Sequence, residues 1–209
     1  MEFSSIYVFV LACLAINLIP GPDVIYIVTN TMRGQVTSGV KAASGLGVGY
    51  VCHTVAACLG LSAVILSSAL LFNIVKILGA LYLGYLGVKC LISVYQGTSQ
   101  LDLIHQGEHT NNIFLQGVIV SVLNPKVALF FLSFLPQFID PHSANTAWYL
   151  LIYGLIFSSL ATVCNLVYAV AGSWVFRSDR AKQYTQVLEG ISGLLLIGLA
   201  SKIVLDNEQ

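Results

Sequence analysis

The sequence predicts an all-α membrane protein of about six transmembrane helices, arranged as two inverted three-helix repeats. Three observations carry that prediction. The chain is 57% hydrophobic and only 9% charged, against the ~25% charged residues usual in soluble domains. It contains charge-free stretches too long for a single membrane crossing. Helix-breaking prolines also recur at matching places in its two halves.

A crossing takes about 20 apolar residues, and Phe3 to Pro22 supplies the first. Ala42 to Val75 contains no Asp, Glu, Lys or Arg. As one helix it would run roughly 50 Å at 1.5 Å per residue, so a turn is expected near Ser67, Ser68 and Asn73. Pro141 to Phe176 is also charge-free, and its start reads as a loop carrying His142, Asn145 and Trp148 before a long fifth helix. The predicted spans are 4–30, 42–66, 71–95, 113–138, 147–175 and 187–205. The chain is thus a single transmembrane domain over 1–209, with halves of about 1–95 and 113–209 joined by a loop at 96–112.

Three helices per half place the second half upside down relative to the first. Gly79, Gly84, Gly87 and Lys89 in the third span resemble Gly193, Gly198, Ser201 and Lys202 in the sixth, and Asn17 to Asp23 resembles Asn124 to Lys126 in kind.

Lys and Arg gather on the cytoplasmic side of a membrane protein. Arg33, Lys41, Lys89, Arg177, Arg180 and Lys182 border one face, while Lys76 and Lys202 border the other. Both termini are therefore expected in the periplasm. Glu2 is the only charge before Phe3, and a cleavable signal peptide needs a basic start, so the first apolar run is expected to stay in the mature protein. Nine basic and nine acidic residues cancel. No cationic surface for nucleic acid follows from that balance, and the partner implied is the lipid bilayer. Cys13, Cys52, Cys58, Cys90 and Cys164 all lie in apolar stretches and read as small apolar fillers.

The chemistry is expected at the breaks. Pro20 and Pro22 flank Gly21 deep in the first span, and Pro125 follows Asn124 in the fourth. A proline removes one backbone donor and pushes off the carbonyl four residues earlier, and in a bilayer such freed groups must be satisfied by protein, a polar cavity or a ligand. Each break is followed at once by a charge, Asp23 after the first and Lys126 after the second. Placing one such charge at a helix centre costs roughly 2.5 to 3.5 kcal/mol. Two readings follow: an Asp23–Lys126 ion pair that closes two kinked helices, or a binding site. A site of this kind suits a zwitterion, with Asp23 and unwound carbonyls for an ammonium and half-helix N-termini and Lys126 for a carboxylate. Asp23 can also carry a proton when substrate leaves. Asn17 and Asn124 either bind the ligand or stabilise the kinks.

Ile19-Pro20-Gly21-Pro22-Asp23 resembles the first-helix signature of the LysE-type translocator family, which includes the lysine exporter and the homoserine/threonine resistance exporters. Leu78-Gly79-Ala80-Leu81-Tyr82-Leu83 resembles its third-helix motif, and Leu123 to Lys126 followed by Phe134-Leu135-Pro136-Gln137-Phe138 its fourth. The resemblance covers nearly the whole chain and implies a bacterial inner-membrane exporter of amino acids or their derivatives, driven by protons. The substrate-site residues it and the breaks point to are Asn17, Pro20, Gly21, Pro22, Asp23, Asn124, Pro125 and Lys126, with Asp23 and His53 as candidates for a proton relay. A small neutral amino acid is preferred, since one Asp and one Lys balance a zwitterion. Homo-oligomer formation is left open.

Other signals read as structural. His105-Gln106-Gly107-Glu108-His109 spells the inverted zinc-protease motif, but it stands in a polar segment interrupted by glycine, so no metal, cofactor or enzymatic activity is expected. Gly45, Gly47 and Gly49 lack the strand and Lys-Ser/Thr of a nucleotide loop and read as close helix packing. His53 reads either as a packed histidine or as a proton relay, and Glu189 as an acid favoured at the start of the sixth helix. The remaining functional alternatives are a passive channel and a membrane-bound enzyme.

Overall fold

The computed structural model describes residues 3–61, 69–97, 112–139, 145–175 and 181–205. Every element among them is helical: α1 (Phe3–Leu18), α2 (Pro22–Ala56), α3 (Ala69–Tyr95), α4 (Ile113–Val122), α5 (Pro125–Leu129), α6 (Thr146–Val175) and α7 (Ala181–Leu205). A π turn, Ala57–Leu61, extends α2. A π turn at Phe130–Phe134 and a 3-10 turn at Leu135–Phe138 extend α5.

Two helices, Gly34–Gly60 and Thr146–Gly172, are individually long and apolar enough to cross a membrane. Two bent pairs make further crossings if each is one span: Ile6–Leu18 with Pro22–Met32, bent by 53°, and Ile113–Val122 with Pro125–Phe138, bent by 44°. α3 and α7 carry the shorter apolar stretches Ala80–Tyr95 and Gln186–Ser201. The predicted fourth and fifth spans agree with these bounds to within a residue or two; the sixth helix begins six residues earlier than expected.

The first span is broken where its prolines predict: α1 stops at Leu18, the next helix starts at Pro22, and the two segments are bent by 53°. The first connection, however, is much shorter than 31–41. Asp23 and Tyr50 stand 27 residues apart, roughly 40 Å along a straight helix, yet the Tyr50 hydroxyl lies 3.5 Å from Asp23 Oδ2. α2 therefore doubles back at Gly34 and Gln35, whose φ/ψ values of −124°/23° and 66°/−179° are the non-helical ones inside it. At Gln35 an L side chain takes a positive-φ, extended conformation that is otherwise essentially confined to glycine, at a cost of about 1–3 kcal/mol. Of the residues expected to turn the chain before the third span, Asn73 lies inside α3, while Ser67 and Ser68 fall outside the described residues. His105 and His109 also lie outside them. Glu189 does not open its helix: α7 starts at Ala181, which puts this buried carboxylate in the third turn.

α2 packs on α6 and on α4, α3 packs on α7, and α1 lies against both α6 and α7. Lipid tails are as apolar as leucine, so helices associate in a bilayer through close contact of small residues rather than through hydrophobic burial. The α2–α4 crossing shows how. A Cβ on Gly45 would strike the Phe114 carbonyl, one on Gly117 would stand 2.8 Å from the Ala42 carbonyl, and one on Gly49 would strike Ser121. The Gly45, Gly47 and Gly49 stretch is thus a packing surface, with Gly47 facing Thr162 of α6. The α3–α7 crossing joins the two glycine segments that resemble each other in sequence, since a Cβ on Gly87 would come within 2.8 Å of the Gly193 carbonyl and one on Gly193 within 2.9 Å of the Gly87 carbonyl.

An aromatic cluster holds the second broken helix in place. Phe130 stacks on Phe157 of α6 at 4.6 Å, Phe9 of α1 meets Tyr153 edge-on at 4.8 Å, and Phe134 packs on Phe130 at 5.0 Å. Such pairs favour offset or edge-on geometry, so the segment carrying Lys126 is pinned to α1 and α6.

The small-residue crossings make a direct prediction. Gly117→Leu forces α2 and α4 apart and should lower the unfolding free energy by about 1–3 kcal/mol, the usual cost of overpacking. Gly198→Leu, where an added Cβ meets nothing within 4 Å, should leave it unchanged. Denaturant titration of the two variants in detergent makes the comparison.

Candidate functional site

In a continuous helix each carbonyl accepts from the N–H four residues on. Pro20 has no N–H for the carbonyl of Ile16, Pro22 none for that of Leu18, and Pro125 none for that of Ser121. Side chains from other elements reach all three, and the Ser121 carbonyl also accepts from the Asn124 N–H at 3.1 Å. Lys126 Nζ donates to the Ile16 carbonyl at 3.3 Å, the Tyr168 hydroxyl of α6 donates to the Leu18 carbonyl at 3.1 Å, and His53 Nε2 of α2 lies 3.1 Å from the Ser121 carbonyl. Lys126 also donates to the Ile19 carbonyl at 3.1 Å. That group would have received the N–H of Asp23 had the helix continued.

Both breaks restart as capped helices. Gly21 is the N-cap of α2, with Pro22 at its first position and Asp23 in the first turn, where the dipole favours a negative charge. Asn124 is the N-cap of α5, its Oδ1 accepting from the Lys126 N–H at 3.0 Å, and Pro125 again occupies the first position. A proline there loses nothing, because that N–H has no partner inside a helix. The chain thus delivers Asp23 and Lys126 from the starts of two separate half-helices to one point.

They meet there as an ion pair with Lys126 Nζ 3.2 Å from Asp23 Oδ1, both side chains buried. The ammonium has three donors, and Ile16, Ile19 and Asp23 account for all of them. The other carboxylate oxygen faces Tyr50 of the returning limb of α2, whose hydroxyl donates at 3.5 Å and accepts from Asn165 Nδ2 at 2.8 Å. Tyr50 and Asn165 are themselves buried.

Gly21 lies directly on the pair. Its φ/ψ of −139°/−168° is extended backbone open to any residue, so the requirement is one of space. A Cβ would stand 3.0 Å from Asp23 Oδ1 and 3.1 Å from Lys126 Nζ.

Of the residues singled out in the sequence, Gly21, Asp23, Asn124 and Lys126 therefore converge, and Pro20, Pro22 and Pro125 create the breaks. Asn17 is buried next to them, but its Nδ2 donates to the Cys13 carbonyl of its own helix at 2.7 Å. His53 bonds to the Ser121 carbonyl and stacks on Phe131 at 5.6 Å; the described contact of Asp23 with this limb is made by Tyr50, three residues earlier. Sequence reasoning missed Tyr50, Asn165 and Tyr168. One signal was available: Asn165 is the only carboxamide in the apolar run 146–175.

The family model described as LysE type translocator matches residues 14–207 of the chain. The chain is 32% identical over 202 residues to the leucine efflux protein of Enterobacter sp. (strain 638), covering 95% of this chain and 94% of that protein. It is 30% identical over 207 residues to the leucine efflux protein of Salmonella choleraesuis (strain SC-B67), covering 94% and 93%. It is also 34% identical over 200 residues to the uncharacterized membrane protein YrhP of Bacillus subtilis (strain 168), covering 88% and 91%. No solved structure matches the chain.

The geometry predicts that the breaks, and not only the charges, are required. Pro20→Ala with Pro22→Ala restores the N–H groups that claim the Ile16 and Leu18 carbonyls, displacing Lys126 and Tyr168. The double variant should insert normally and lose function. Gly21→Ala should do so through crowding alone. Membrane yield and transport are measured together, and parent-like transport by either variant would show that the breaks are not required.

Proposed function

This chain belongs to the LysE type translocator family, a family of amino-acid exporters, and we propose that it moves a small neutral amino acid out of the cell in exchange for protons. The observation that carries the reading is the buried Asp23–Lys126 pair at the junction of two broken helices. The leucine efflux proteins among its relatives support a neutral, apolar substrate.

Removing one partner of a buried ion pair costs about 3–5 kcal/mol, because the other charge is stranded. A zwitterion avoids that cost. Its ammonium takes Asp23 while its carboxylate takes Lys126, so the pair opens only for a ligand that brings both charges. When Lys126 turns to the carboxylate it releases the Ile16 and Ile19 carbonyls at the first break, which can then accept from the ligand. A proton neutralises Asp23 equally well. Protonation from the outer face releases the ammonium to that side, and the next substrate displaces the proton into the cytoplasm. Each cycle thus exchanges one proton inward for one substrate outward. Asp23 is the proposed proton carrier, with His53 as its relay partner.

The proposed frame is two inverted three-helix halves, about 1–95 and 113–209, in a bacterial inner membrane with both termini in the periplasm. The pairing of α3 with α7 and of α2 with α6 supports such an arrangement, since these are the third with the sixth and the second with the fifth crossing. In this frame a reporter active only in the cytoplasm is silent at Gln209 and active after Lys182.

Cells overproducing the protein should resist toxic leucine analogues and leucine-containing dipeptides and should accumulate the amino acid outside, with no gain against basic amino acids. In proteoliposomes, labelled leucine should exchange saturably against excess unlabelled leucine. Flux without saturation or exchange would instead identify a passive channel, and no resistance to any neutral amino acid would overturn the reading.

A further inference from the structure

The pair at the breaks accounts for one contact at each end of a zwitterion, but an ammonium has three donors and a carboxylate about four acceptor sites. Two buried amide atoms remain over beside it. Asn165 is 1% exposed, and its Nδ2 donates to Tyr50. Tyr50 in turn donates to Asp23, which leaves Asn165 Oδ1 with no hydrogen-bond partner among the described residues. Asn124, also 1% exposed, uses Oδ1 as the cap of α5, and its Nδ2 likewise has no partner among them.

Leaving a buried polar atom unmet costs about 1–3 kcal/mol, so each of these two, one joined to Asp23 through Tyr50 and one capping the turn that carries Lys126, calls for a partner. Their chemistry is complementary. The free atom on the Asp23 side is an acceptor and the free atom on the Lys126 side is a donor. The hydrogen-bond direction sets this polarity: Tyr50 can donate to a carboxylate only if it receives from the amide nitrogen, which turns the amide oxygen away.

Resting on the exporter reading, we propose that Asn165, held by Tyr50, completes the ammonium half of the substrate site, and that Asn124 Nδ2 completes the carboxylate half. The ammonium then donates to Asp23 and to Asn165 Oδ1, and the carboxylate accepts from Lys126 and from Asn124 Nδ2. The ligand class is an α-amino acid with both termini free. Tyr50 is a positioning residue in this scheme. It orients the carboxamide of Asn165 and the carboxylate of Asp23 without being a donor to the ligand. A site built to receive an N–H rejects the analogue that lacks it, so the hydroxy acid of the same carbon skeleton is the discriminating probe.

The test is leucine counterflow in proteoliposomes, with 2-hydroxyisocaproate as competitor. For Asn165→Leu, which keeps volume and removes the acceptor, the half-saturation concentration for leucine should rise about tenfold or more. The maximal rate should stay within about twofold, and the preference for leucine over the hydroxy acid should shrink by the same factor as the affinity. Asn165→Ala should show the same loss of preference if the leucine variant folds poorly. A variant with lower thermal stability but an unchanged preference would mean that Asn165 only braces Tyr50, and the proposal would be wrong. An unchanged half-saturation concentration would also overturn it. Parent protein that exchanged no neutral amino acid would remove the exporter reading, and this inference with it.

Discussion

A peptide carbonyl inside a bilayer has no water to turn to, and three prolines in this chain each leave one such group without its helical donor. The carbonyls of Ile16, Leu18 and Ser121 are taken by Lys126, Tyr168 and His53, from α5, α6 and α2. Much of the rest of the architecture depends on these substitutions. They tie α1 to α5 and α6 of the second half and α4 to α2 of the first, bring the starts of two half-helices together, and determine where the buried charges must stand. The prolines thus act as connectors as much as breaks, because side chains from other elements reach the carbonyls they free; that of Ser121 also accepts locally, from the Asn124 N–H.

The charges follow from the same constraint. Lys126 is long enough to reach the freed carbonyl of Ile16 in α1 and that of Ile19 just beyond it, and Asp23, at the first turn of α2, supplies its third acceptor and its counter-charge. Net charge at the junction is zero, which removes most of the cost of holding it in lipid. A neutral junction can be opened without a large penalty only by something equally neutral in sum and equally charged in its parts. This requirement links the packing to the proposed substrate class. The crossings built on Gly45, Gly49, Gly87, Gly117 and Gly193 keep the surrounding helices close enough for the pair to stay dry.

Most of the helix pattern was legible in the sequence, because lipid imposes a length and a composition that can be read directly. The two breaks and their charges were legible for the same reason, since proline and buried charge are both conspicuous in an apolar run. The return of α2 at Gly34 and Gln35 was not. It contains no proline, and the charges at Arg33 and Lys41 mark the end of a span without showing that the turn occupies two residues. Tyr50, Asn165 and Tyr168 escaped because their significance lies in which face of a helix they occupy, and nearly uniform hydrophobicity around these helices leaves no polar stripe to orient them. Glu189 was misplaced by a wrong helix start: a span edge read from hydropathy passed over the polar first turns of α7.

In the proposed mechanism Asp23 and Lys126 form a lock opened by substrate rather than a brace between kinked helices. Replacing both at once, Asp23→Asn with Lys126→Met, separates the two directly, because it removes both buried charges and strands neither. Counterflow of leucine by the purified double variant is the decisive measurement. A stably inserted protein that exchanges no leucine is the predicted result, and exchange near the parent rate would show that the pair is structural.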